Sequence, residues 1–224
     1  MSYSLCSIVV GTGSYIPTQI IPNKDFLHHN FYDSNGIKLK DPNEEIINKL
    51  EKITEILERR FVTDELMASD IGFFAARNAL ESSGIDKESL DYIIVAHNFG
   101  DVSHRNKRSD FVPSLASKIK HKLEIGNPKC IAYDIALGCP GWLQGVIQAD
   151  YFIKSGDAKR VLVIGTDTLS RVSDPHDRDS MIYSDGAGAV ILESTNSGPV
   201  GILCHNASSD ALTLSHFLRM DKSN

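Results

Sequence analysis

No stretch of this 224-residue chain approaches the ~18 consecutive apolar residues that span a membrane. Residues 1–15 also lack the basic start and long apolar core of a secretory segment. The expectation is a cytoplasmic protein with no membrane partner. Basic charge is short as well: 23 Lys and Arg against 29 Asp and Glu leave a net charge of −6. That excludes a general nucleic-acid binder, whose affinity would come from a cationic face. It leaves room for a small basic patch facing an acidic carrier or a phosphorylated ligand. Only four cysteines occur, Cys6, Cys130, Cys139 and Cys204, and none forms a CxxC pair. Neither a metal site nor a redox pair is indicated, and each thiol must be judged by its surroundings. Low-complexity linkers and short repeats are absent too.

What is present is an alternation of short β-branched runs with longer helical patterns, which favours an α/β domain on a mostly parallel sheet. A first strand over Ser7–Val10 should end at Gly11-Thr12-Gly13, read as a turn because it lacks the third glycine of a dinucleotide fingerprint. Asn23–His28 and Asn43–Thr54 look helical, the latter with Ile46, Ile47, Leu50, Ile53 and Leu57 in one stripe. Ser69–Ser83 buries Ile71, Ala75, Ala79 and Leu80 and stops at Gly84. Strands follow at Tyr92–Ala96, Cys130–Ile135 and Arg160–Ile164, and a helix at Pro113–Leu123. Ala187–Glu193 and Val200–Cys204 could close an antiparallel pair, and the tail from Asp210 reads as a partial helix.

One junction carries chemical content. Asp134-Ile135-Ala136-Leu137-Gly138 leads into Cys139, and Pro140 opens a helix to about Lys154. A thiol at a helix N-terminus faces unpaired N–H groups and the positive end of the dipole, which favour thiolate. Small neighbours would let a substrate carbonyl approach the sulfur. On pattern alone Cys139 reads equally as a small buried hydrophobe.

The residues from Asp134 to Trp142 resemble the active-site segment of the ketoacyl-acyl-carrier-protein synthase III family, within the thiolase superfamily. So, in order, do Gly11–Pro17, Glu58-Arg59-Arg60, Ala68-Ser69-Asp70, Asp91–Ala96, Val112-Pro113-Ser114 and Tyr183–Leu192. The resemblance implies a thiolase-like fold, one half of a duplicated αβαβα architecture that works as a homodimer. It implies Cys139 as the thiol that takes an acyl group from a thioester, with malonyl-acyl carrier protein then losing carbon dioxide and attacking the acyl-enzyme. Acyl carrier protein and acyl-CoA are the implied partners, with no cofactor beyond these thioester substrates. Val112, His97 and Asn98 are substrate-binding candidates; the last two end a strand and read alternatively as satisfied polar residues.

The sequence departs from the family at the CoA end. Where relatives hold adenine with a Trp and an Arg, the chain has Lys49 and Ile53. Arg178, in Asp174-Pro175-His176-Asp177-Arg178, matches the family's nucleotide loop and is a substrate-binding candidate, or else a surface arginine paired to an aspartate. The donor is therefore expected to be altered: weak CoA binding, or delivery on carrier protein. The family's catalytic His and Asn belong to a second half, which this chain does not reach; residues 1–210 form the first half and 211–224 begin the connection. His205-Asn206 is read as a loop rather than that pair. Asp174, Asp177 and Asp179 are read as a solvated loop, and Lys118, Lys120 and Lys122 as too scattered for a carrier patch. The alternatives are a non-decarboxylating condensing enzyme, of hydroxymethylglutaryl-CoA synthase or head-to-head type, and a catalytically silent dimer partner.

Overall fold

A computed structural model describes residues 5–198, 200–217 and 220. In chain order the elements are β1 (Cys6–Tyr15), β2 (Gln19–Pro22), α1 (Asn43–Thr54), β3 (Glu58–Phe61), α2 (Ala68–Ser83) and β4 (Tyr92–His97). Then come β5 (Asp101–Val102), β6 (Ser109–Asp110), α3 (Leu115–Lys122), β7 (Ile131–Ala136) and α4 (Gly141–Ser155). The last are β8 (Arg160–Thr168), β9 (Asp185–Thr195) and the single turn α5 (Ala211–Leu214). They fall into two compact units. The first takes in the chain up to Ile16, Asp64–Thr168 and Gly186–His205; the second has Pro17–Thr63, Leu169–Asp185 and the chain from Asn206 on.

The first unit is built on a five-stranded mixed sheet in the order β1-β9-β8-β4-β7, with β4 parallel to β7 and β8 and β1 antiparallel to β9. Its central strands are continuous apolar runs because both faces are covered. Ile93 and Val95 of β4 and Leu162 and Ile164 of β8 pack with α2 and α3. Ile94, Val161 and Val163 point the other way, onto Ala149 and Ile153 of α4. One residue of slip would exchange these faces, so this alternation fixes the register.

Three expectations need correction here. Gly11-Thr12-Gly13 is strand interior, not a turn. The glycines are needed because α2 lies directly on β1, and a Cβ at Gly11 would come within 2.5 Å of the Ala79 carbonyl oxygen. Val200–Cys204 is not a strand. β9 already has β1 on one side and β8 on the other, so no edge of β9 remains for it; Ile202 N–H instead bonds the Ser7 carbonyl of β1. Pro140 caps α4 rather than opening it, the first helical residue being Gly141.

The second unit packs Phe26, Phe31, Ile46, Ile47 and Met181 as its own core beside the two-stranded β2–β3 ribbon. Its Asn23–Phe26 segment is a single 3₁₀ turn rather than the longer helix expected. The proposed stripe on α1 is only half used. Ile46 and Ile47 are buried, but Ile53 is 79% exposed and Leu57 lies beyond the helix. Arg59 anchors this unit from the inside, donating to the carbonyls of Met181 and Ile21 and to Asn23 Oδ1. The Asp185 carboxylate accepts from Val62 N–H, Ser170 N–H and Ser170 Oγ. Among the described residues no helix is long and apolar enough to cross a membrane.

Candidate active site

Cys139 sits in the turn between β7 and α4 and its side chain is exposed. The turn depends on Gly138, whose φ of +69° is left-handed and favours glycine. Gly141 N–H closes the turn onto the Gly138 carbonyl at 2.9 Å, and Gln144 N–H bonds the Pro140 carbonyl to start the helix. Gly141 is buried against Ala96, its would-be Cβ only 3.1 Å from that methyl, so its smallness serves helix-on-sheet packing. Leu137, Trp142 and Leu143 flank the thiol with partly exposed apolar side chains. A cavity of about 490 Å³ opens beside Trp142, floored by Gly165, Gly188 and Val190.

The strand next to β7 brings two further candidates to this turn. Asn98 follows β4, and its Oδ1 lies 3.3 Å from where a Cβ on Gly138 would stand. Asn98 is held by Asp167, which accepts from its backbone N–H at 2.9 Å and from Nδ2 at 2.7 Å. Burial pushes the Asp167 carboxyl above its ordinary pKa, and these Asn98 hydrogen bonds oppose that shift. His97 is 1% exposed. Gly100 N–H donates to its Nδ1 at 3.0 Å, so the ring proton lies on Nε2 and is directed to Asp134 Oδ2, also at 3.0 Å. That is a fully satisfied strand terminus, with no ring nitrogen turned to solvent. Val112 is 84% exposed, in the segment before α3.

Asp134 was not singled out by sequence reasoning and organises this region. Its carboxylate also accepts from Leu115 N–H and Ala116 N–H, both at 2.8 Å, at the N-terminus of α3. A negative group there meets orphan donors and the positive dipole end. The signal was available, since an aspartate is disfavoured within an apolar strand run unless something pairs with it.

In the second unit, Lys49, Ile53 and Arg178 line one cavity of about 330 Å³ with Lys40, Asp41 and Leu50. Lys49 is paired with Asp41 at 2.8 Å, and Arg178 contacts Asp179 at 3.5 Å. The three positions separated in sequence are thus brought together. Lys118, Lys120 and Lys122 are not. Lys118 pairs with Asp101 and Asp110, Lys120 with the carbonyls of Asn127 and Cys130, and Lys122 with Asp70. His205 lies in irregular chain, 3.3 Å from Asp150. Asp174 and Asp177 are occupied by the N–H groups of His176 and Asp179.

A strand–cysteine–helix junction on a layered α/β sheet defines a thiolase-like fold, and solved structures agree. The chain matches a 3-oxoacyl-[acyl-carrier-protein] synthase III from Aquifex aeolicus VF5 with a TM-score of 0.67 at 30% identity, over 85% of this chain and 55% of that one. It matches the priming β-ketosynthase of the R1128 polyketide pathway with a TM-score of 0.71 at 26% identity, over 88% and 53%. By sequence the chain is a relative of the 3-oxoacyl-[acyl-carrier-protein] synthase III family, whose model matches residues 133–211. A curated β-ketoacyl-[acyl-carrier-protein] synthase III 1 of Vibrio vulnificus is 41% identical over 83% of this chain and 52% of its own length. The corresponding synthase III of Pseudoalteromonas atlantica is 36% identical over 97% and 62%. The chain therefore spans about half the length of most of the curated relatives it matches.

Proposed function

We infer that this chain is the acyl-accepting part of a β-ketoacyl synthase III-type acyltransferase, with Cys139 as the nucleophile. The exposed thiol in a glycine-formed strand-to-helix turn carries the reading, because the relatives are named for acyl-carrier-protein chemistry. The thiolate attacks the carbonyl of an acyl thioester. The tetrahedral intermediate collapses with loss of the donor thiolate, which takes up a proton, and the acyl group remains on the Cys139 sulfur. In the whole enzyme, decarboxylation of malonyl-acyl carrier protein then supplies the carbanion equivalent that attacks this thioester, releasing the cysteine. The residues assigned to substrate are Arg178 and Val112, with Asn98 shaping the turn and His97 acting through Asp134. The substrates are CoA or carrier-protein thioesters, no further cofactor takes part, and the working form is a cytoplasmic homodimer.

Intact-mass measurement after incubation with an acyl thioester tests the reading. One acyl adduct is expected, abolished in Cys139→Ala and retained in Cys204→Ala, which removes the other exposed cysteine. An adduct that survives Cys139→Ala overturns the assignment. Condensation of two acyl thioesters without release of carbon dioxide would favour the head-to-head alternative instead.

A further inference from the structure

The end of β4 is pinned from both sides by carboxylates. His97 is taken by Asp134 of β7 and the next residue, Asn98, by Asp167 of β8, the two strands that flank β4 in parallel. Asp167 accepts from Asn98 at two points, the backbone N–H at 2.9 Å and Nδ2 at 2.7 Å. A carboxylate accepts and cannot donate, so it decides which way the amide faces. Nδ2 must turn to Asp167, and Oδ1 is left on the side of Gly138, the neighbour of Cys139. An asparagine free to rotate would offer either an NH2 or an oxygen there; this one offers only the oxygen. Among the described residues Oδ1 has no hydrogen-bond partner, yet it is not sealed from solvent. The turn itself does not answer it: Gly141 N–H is spent on the Gly138 carbonyl and Gln144 N–H on the Pro140 carbonyl.

An open acceptor held in one orientation beside a nucleophile suits a hydrogen-bond donor on the molecule which that nucleophile attacks. Thioesters of CoA and of carrier protein share such a donor, the pantetheine amide N–H nearest the sulfur. A hydroxylated acyl group brings the same chemistry from the other side of the thioester. We propose that Asp167 is a positioning residue for acylation, fixing Asn98 so that its Oδ1 accepts a hydrogen bond from the incoming thioester. This role rests on the acyl-transfer reading of Cys139. To the part Asn98 plays in shaping the turn it adds a direct contact with substrate, at a place where small misplacements of the reacting atoms are costly.

The test compares an amide donor, acyl-N-acetylcysteamine, with its ester isostere, S-acyl-O-acetylmercaptoethanol, in which oxygen replaces the N–H. Acylation of Cys139 by each is timed by intact mass in the full chain and in Asp167→Asn, Asn98→Ala and the exchange Asn98→Asp/Asp167→Asn, with thermal midpoints recorded alongside. In Asp167→Asn the introduced amide must keep its oxygen on the Asn98 backbone N–H. Its own NH2 then forces the Asn98 amide to flip, so that Nδ2 faces Gly138. The exchange puts an oxygen back there and keeps both hydrogen bonds. The wild-type chain is expected to favour the amide donor about fivefold to tenfold in acylation rate, the worth of one net hydrogen bond. Asp167→Asn and Asn98→Ala should abolish that preference by lowering the amide rate, and the exchange should restore it. Restoration separates this role from a structural one, since Asp167→Asn and the exchange retain the same hydrogen bonds to the strand. A preference for a 3-hydroxyacyl over the plain acyl thioester, lost and regained in the same variants, supports the contact and places the donor on the acyl group. No preference of either kind in the wild-type chain, or one that survives Asn98→Ala, overturns the contact while leaving Cys139 as nucleophile. Should Asp167→Asn fail to fold, Asn98→Ala decides alone. Absence of Cys139 labelling by every donor overturns the acyl-transfer reading itself, and the contact falls with it.

Discussion

His97 Nε2 and Asp134 Oδ2 lie 3.0 Å apart and join the end of β4 to its parallel neighbour β7. The same carboxylate holds the first N–H groups of α3, so one side chain ties two strands and a helix. Replacing it leaves a buried ring donor and two helix N–H groups without partners. Asp134→Ala is therefore expected to lower unfolding free energy by about 1–3 kcal/mol, read from the urea midpoint at unchanged m-value. A change below about 0.3 kcal/mol would show that water replaces the carboxylate at no cost.

Gly138 and Gly84 have almost the same φ, +69° and +67°, but different surroundings. A Cβ at Gly84 meets nothing within 4 Å, whereas at Gly138 it stands 3.3 Å from Asn98 Oδ1. Both alanine variants should lose the ~1–2 kcal/mol that a left-handed residue costs. Only Gly138→Ala should also displace Asn98 and the turn bearing Cys139. Its acylation rate is expected to fall at least about tenfold, since small misplacements at a reacting atom are costly. Equal acylation by the two variants would remove Asn98 from the account of the site.

Elements that announce themselves locally were legible in the sequence. α2 could be read because Ile71, Ala75 and Ala79 share one face and Gly84 ends it, its N–H bonding the Leu80 carbonyl. The Cys139 junction was visible for the same reason: strand, glycine, cysteine and helix are contiguous. Less legible were features that depend on distant partners. Gly11 and Gly13 look like a turn until α2 is laid across them. Asp134 looks like one residue of a motif until α3 and His97 are brought to it. Ile53 has the helical spacing of a core residue, yet nothing in the sequence states that its face is left open beside a cavity.

Tyr133 offers a prediction in alkali. Its hydroxyl donates to Gln148 Oε1 at 2.6 Å, and burial pushes its pKa up to about 12 from an ordinary 10. The folded chain therefore holds this proton between pH 10 and 12 while the unfolded chain releases it. Proton binding is greater in the folded state, so stability falls as pH rises through that window. Thermal midpoints recorded from pH 9 to 11.5 should decline more gently in Tyr133→Phe than in the wild-type chain. Parallel declines would mean that the hydroxyl ionises freely in the fold.

The donor preference follows from the cavity around Lys49 and Arg178. An adenine ring needs a flat partner, and this cavity presents the aliphatic faces of Ile46, Leu50 and Ile53 with no aromatic side chain. Lys49 is engaged by Asp41, an interaction that holds the Asp41 carboxyl below and the Lys49 ammonium above their usual pKa values. On the proposed reading the cations left for phosphate are Lys40 and Arg178, the latter beside Asp179. Loss of one stacking and one charged contact corresponds to about 1–3 kcal/mol, or roughly ten- to a hundred-fold in affinity. The pantetheine arm is common to both donors and is unaffected by these losses. At equal concentration, acyl-carrier protein should therefore acylate Cys139 faster than the matching acyl-CoA. Lys49→Trp/Ile53→Arg should raise the acyl-CoA rate about tenfold or more and leave the carrier rate unchanged. A wild-type preference for acyl-CoA that disappears in Arg178→Ala would reverse the conclusion, making Arg178 sufficient to hold the nucleotide without a stacking partner.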